Sequence, residues 1–319
     1  MQNKFNEKDS SIAFLLALFL PSILAIFCVL IISFFVSPNS LQDSLAYKII
    51  SVLISQVAFL LIFVGITKAR KISFKQVRHE KLNFKQILIL LLISACCLFL
   101  ISPIINVYDS LIVKLGVKQQ TLPLGLDNPL NFVFLLFSMG VFAPITEELL
   151  FRGLIFQGLK SKGTTKAVLI SSLMFMIMHL SLHQTIYQFL LGIIMALVVL
   201  YTESIFASIF VHFVNNSVVL IINYINPQLF EYKFLSSGYI ILAVVLFMFA
   251  MFLIYYLLKW LKNIKDKDTQ KSENIIITNS LNDSLETVST NQSVKKVNLV
   301  MISLLSGILL WIINLILQI

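Results

Sequence analysis

Polar positions are few and widely spaced along this chain, and the stretches between them are long enough to read as membrane helices. Crossing a hydrocarbon core takes about 20 apolar residues in helical form. Runs of that kind fall at 12–36, 46–66, 86–108, 130–159, 167–183, 185–202, 204–224, 236–261 and 298–318. Nine spans are expected, in an all-α polytopic membrane bundle of about eight core helices plus one extra C-terminal helix. Very short turns separate the three spans within 167–224. The first run, "IAFLLALFLPSILAIFCVLIISFFV", exceeds the about 7–15 apolar residues of a cleaved signal, so a signal anchor is expected.

Three polar segments interrupt the spans. Residues 68–86, "KARKISFKQVRHEKLNFKQ", are basic and partly amphipathic, which predicts a cytoplasmic loop lying on lipid headgroups. Residues 109–129 carry Gly116, Pro123 and Gly125 as turn signals and predict an external loop. Residues 262–297 are rich in Lys, Asn, Ser and Thr and lack helical periodicity, which predicts a disordered cytoplasmic linker. The expected organisation is therefore N-terminal helices and basic loop over 1–129, a catalytic core over 130–225, a further span over 226–261, the linker over 262–297 and a last span over 298–319.

Composition agrees with the pattern. The chain is 58% hydrophobic and 12% charged, whereas a soluble domain is about half apolar and about a quarter charged. The net charge of +9 does not imply nucleic acid, because of where the charge falls. With the N-terminus cytoplasmic and the spans alternating, 20 of the 24 lysines and arginines lie on the inner side. That is the positive-inside bias of a multi-pass protein of the cell membrane, and its basic segments suit anionic lipid. Cys28, Cys96 and Cys97 all fall inside spans and suit buried thiols better than disulfides or a metal site.

Ionisable groups inside a span are costly and mark candidate function. Glu147, Glu148 and Arg152 lie in "APITEELLFRG", His179 in "FMIMHL" four residues after Phe175, and His212 and Asn216 in "VHFVNN". Glu148 and Arg152 are four apart and can pair on one helix face. Glu147 points about 100° away and has no partner within its helix. Counting from Lys160, Lys166 and Glu203, the carboxylate, imidazoles and carboxamide sit at similar depths, roughly 14–20 Å from the inner face. Pro144, one turn before Glu148, is expected to bend the helix or free a carbonyl near the site. His183, at a turn, and Asn215, off the His212 face, are expected to be structural.

One carboxylate and two imidazoles suit activation of water: Glu147 as general base, His179 holding the water, His212 and Asn216 as donors to an oxyanion. The reaction expected is hydrolysis of a peptide bond in or beside the membrane. No serine elbow or phosphate loop is present. Two His and a carboxylate can also hold zinc, which would use Glu147, His179 and His212. The helical H-E-x-x-H spacing is missing, and a metal-independent mechanism stands level with zinc.

The ordered trio E-E-x-x-x-R, F-x-x-x-H and H-x-x-x-N resembles the CPBP intramembrane protease family, which takes in type II CAAX prenyl endopeptidases and bacterial Abi-type bacteriocin-processing or self-immunity proteins. The resemblance covers roughly 130–225. It implies Glu147 as base, His179 as its water-holding partner and His212 with Asn216 on the oxyanion side, with Glu148, Arg152 and Phe175 supporting. It also implies a membrane-associated peptide or precursor as substrate. Two other classes compete: a non-enzymatic immunity or scaffold protein, which would tolerate Glu147→Ala, and a proton-coupled transporter, which would need a polar path to the outer face. The outer halves of these spans are apolar.

Overall fold

The protein is described from a computed structural model, covering residues 4–37, 40–73, 77, 80–118, 124–126, 128–226, 236–279 and 299–318. Within them the chain forms nine principal helices and no strand. They are α1 (Glu7–Ile32), α2 (Leu45–Ala69), α3 (Phe84–Lys114), α4 (Pro129–Lys162), α5 (Thr164–Met178), α6 (Thr185–Thr202), α7 (Ile205–Ile225), α8 (Ser237–Asn279) and α9 (Leu299–Gln318). All but α5 are long and apolar enough to cross a membrane.

Local chemistry sets the ends of these helices. Asn6 and Asp9 form a reciprocal capping box at the start of α1, and Asn83 and Gln86 do the same for α3. Asn128 caps α4, with Pro129 at its first position. Glu203, in the left-handed region at φ 54°, ends α6 and lets α7 begin two residues later.

Three expectations need correction. The fifth span stops at Met178 rather than 183, because the chain turns left-handed at Leu180, φ 47°. The linker expected over 262–297 begins as helix, since α8 continues to Asn279. Lys, Glu and Gln propagate a helix without an amphipathic stripe, so missing periodicity was a poor guide there. Residues 280–298 lie outside those described. The basic segment 68–86 also does more than lie flat, because Ile72 and Val77 are buried. Val77 packs beside Gly153, in the second half of α4.

Helix α4 lies at the centre. Its second half receives the start of α1, where the Ser10 hydroxyl donates to the Ile155 carbonyl at 2.9 Å. Gly158 permits that approach: a Cβ there would lie 2.2 Å from Ser10 Oγ and 2.5 Å from the Asn6 carbonyl. Gly140 plays the same part on the α7 side, where a Cβ would come within 2.8 Å of Ser217 Oγ. Ion pairs Arg70–Asp9 at 2.7 Å and Lys162–Glu7 at 2.9 Å tie α1 to its neighbours. Meanwhile Ile23, Phe27, Met248, Phe252, Leu305 and Leu309 are exposed on α1, α8 and α9. Apolar faces of that extent fit lipid rather than water. The chain is a multi-pass membrane protein.

Candidate active site

The central helix α4 is not uniform. Two π-helical stretches, Leu136–Phe142 and Leu149–Ile155, flank an α-helical segment, Ala143–Glu148. Wide turns of this kind are rare and favour functional sites. Glu147 and Glu148 sit at the junction between the α segment and the second π stretch.

Glu148 and Arg152 form the expected pair, with Nη1 donating to Oε1 at 2.8 Å, and both side chains are buried. Arg152 also donates from Nη2 to the Gly192 carbonyl at 3.2 Å and lies 4.3 Å above the Phe175 ring. The buried guanidinium is thus neutralised, hydrogen-bonded and stacked, as a charge in such a site must be. His212 adds a third member: its Nδ1 donates to the same Glu148 Oε1 at 3.1 Å.

That bond has a consequence for Glu147. With the proton on Nδ1, a neutral His212 presents a lone pair at Nε2. Nε2 lies 3.9 Å from Glu147 Oε2, an oxygen that is buried and has no hydrogen-bond partner. Two acceptors therefore face one another across a gap suited to a donor such as water. The imidazole brought beside Glu147 is that of His212.

His179 caps the C-terminal end of α5. The last turn tightens: the amides of His179 and Leu180 bond to the Met176 and Ile177 carbonyls, three residues back. The Phe175 carbonyl, left over, accepts from His179 Nδ1 at 2.8 Å. This fixes the tautomer and leaves Nε2 as the lone-pair nitrogen of His179 as well. Phe175 meets both rings edge to face, at 4.8 Å from His179 and 5.9 Å from His212, so one aromatic wall is shared by the two imidazoles.

Pro144 acts as expected. In a π turn the Met139 carbonyl would accept from the amide five residues on, which is Pro144 and has no N–H. The orphaned carbonyl instead accepts from Asn216 Nδ2 at 3.0 Å. Asn216 thus spends one of its two N–H groups tying α7 to α4.

Asn215 has a structural role between helices. It is buried, donates to Val211 O at 2.8 Å and accepts from the Tyr187 hydroxyl at 2.7 Å, joining α7 to α6. Tyr187, beside Gln188 in the first turns of α6, was the available signal for this pair. His183 sits at the α5–α6 turn, with Nε2 3.0 Å from the Lys118 carbonyl and Nδ1 3.4 Å from Asp109.

An apolar cleft of about 240 Å³ opens between α4 and α7, lined by Val141, Ile145, Phe206, Ile209, Phe210 and Phe213. Ile145 is two residues from Glu147, and Ile209 and Phe213 bracket His212 in sequence. Among the described residues no three His, Cys, Asp or Glu side chains are arranged to hold a metal ion. Glu147, His179 and His212 are not brought together as a zinc ligand set in this geometry.

Residues 129–218 match the family model Rce1-like, described as type II CAAX prenyl endopeptidase Rce1-like. The match runs from the start of α4 into α7, contains all seven motif residues, and supports the CPBP/CAAX protease likeness that those motifs carry. No curated protein and no solved structure matches the chain.

Proposed function

We propose, from the premise that α4 to α7 resemble type II CAAX endopeptidases, that this protein hydrolyses a peptide bond of a membrane-associated peptide or precursor, using water activated by Glu147. In a bacterial setting the substrates expected are a bacteriocin or signalling-peptide precursor, or a peptide against which the cell immunises itself. The observation that carries this reading is the unpartnered, buried Glu147 Oε2 facing His212 Nε2 at 3.9 Å.

A water between those two acceptors would donate one hydrogen to each, leaving its oxygen lone pair free. Glu147 takes a proton as that oxygen bonds to the scissile carbonyl carbon, and the carbonyl π pair moves onto oxygen. Collapse of the tetrahedral species restores the carbonyl and breaks the C–N bond. Glu147 returns its proton to the leaving nitrogen, so the products are a carboxylic acid and an amine. His212 needs a fixed tautomer to hold the water, and the buried Glu148–Arg152 pair supplies it. The second N–H of Asn216, not used by Met139, is the donor assigned to the oxyanion. His179 is assigned to the substrate side of the shared Phe175 wall. The apolar cleft beside Ile145 and Phe213 suits apolar side chains of the peptide.

The test compares purified wild type with Glu147→Gln and His179→Ala on candidate precursor peptides. Loss of cleavage in both variants is expected. Unchanged cleavage in both would sink the mechanism.

A further inference from the structure

The turn that carries His179 is held from outside the family-like segment. Residues 179–184 join α5 to α6, and Leu180 adopts φ 47°, a conformation that bulky residues avoid unless their surroundings impose it. Within the turn the Leu182 carbonyl accepts from the Thr185 amide at 3.1 Å, and two donors reach the turn from other helices. The amide of Asn314, on the C-terminal helix α9, donates to the Leu180 carbonyl. On the other side the Tyr108 hydroxyl, from α3, donates to the Leu182 carbonyl at 2.9 Å. Helix α9 is seated firmly enough to act this way. Gly307 packs where a Cβ would lie 2.9 Å from the Phe14 ring and 3.0 Å from Ile177 Cγ2, two residues before His179.

We propose that Asn314 is a positioning residue for His179: it holds the Leu180 carbonyl, fixes the left-handed turn, and so sets the direction of the imidazole that caps α5. The C-terminal helix, which lies beyond the matched residues 129–218, is then part of the working site rather than an appendage. A donor is required. A carboxylate at 314 keeps the shape of the amide but repels the Leu180 carbonyl, and a longer amide keeps the donor.

The inference rests on the hydrolytic reading only for its rate measurement, since amide exchange reads the turn directly. The experiment uses the full chain in detergent or bilayer, as wild type, Asn314→Asp and Asn314→Gln. In Asn314→Asp, exchange at the amides of residues 180–185 is expected to rise about tenfold or more while α6 and α7 keep wild-type protection. The same variant should lose about tenfold in kcat with KM nearly unchanged, the mark of a misplaced group rather than a lost binding contact. Asn314→Gln should restore most of both. Unchanged exchange in Asn314→Asp overturns the proposal, and so does faster exchange spread evenly over the molecule, which would mean a general packing role. If wild type cleaves none of the peptides, the hydrolytic reading fails while exchange still decides the role of Asn314.

Discussion

Glu147 and Glu148 are neighbours in sequence with opposite consequences for stability and activity. Glu148 Oε1 accepts from a guanidinium and an imidazole, whereas Glu147 has no such pair of donors; Oε2 of each residue is buried without a hydrogen bond. A buried acceptor left unpaired costs stability, and such costs gather where chemistry is done. Glu147→Gln should therefore cut hydrolysis by about 10²–10⁴-fold without lowering the thermal midpoint in detergent. The reverse holds for Arg152. Arg152→Met strands the Glu148 charge and should cost about 3–5 kcal/mol, whereas pairing it with Glu148→Gln should recover most of that loss. Thermal unfolding of the two variants in one detergent checks both statements.

At the scale of the helix, the site depends on one carbonyl being freed. Pro144→Ala supplies the missing N–H to Met139 O, which then competes with Asn216 for that acceptor. The expected outcome is a fall in kcat of about tenfold with the helix intact by circular dichroism. Gly158→Ala tests the seat of α1 on α4. Its Cβ would meet Ser10 Oγ and the Asn6 carbonyl, so a loss of about 1–3 kcal/mol is expected from overpacking, read as a lower thermal midpoint. Much at this scale was legible in the sequence. Apolar run lengths located the helices, four-residue spacing paired Glu148 with Arg152, and a proline inside a span announced a freed carbonyl. The π turns were not legible, because they are stabilised by what packs around them rather than by propensity. Nor could a wheel drawn at about 100° per residue show His212 donating to Glu148 with its Nε2 turned to Glu147, or Asn216 reaching Met139, because both contacts join α7 to α4. The pairing of Asn215 with Tyr187 was missed because it joins two helices, and spacing within one helix is silent about another.

For the whole molecule, the distribution of lysine and arginine predicts the N-terminus and the α2–α3 connection on the cytoplasmic side. Single cysteines introduced at Lys8 and at Lys114, each in a background with Cys28, Cys96 and Cys97 replaced, should label from opposite faces with a membrane-impermeant thiol reagent. Equal labelling from one face would overturn that orientation. The short α5 bears on the membrane itself. Fifteen residues rise about 22 Å, less than the about 30 Å of an average hydrocarbon core. The turn beyond Met178 is supported by protein on several sides: Tyr108 and Asn314 donate to its carbonyls, and His183 reaches the Lys118 carbonyl of the 109–129 segment. A helix that stops short asks the surrounding leaflet to dimple toward it, so acyl-chain length becomes a variable of the reaction. Thin, short-chain vesicles should favour turnover and thick ones slow it, at constant protein stability.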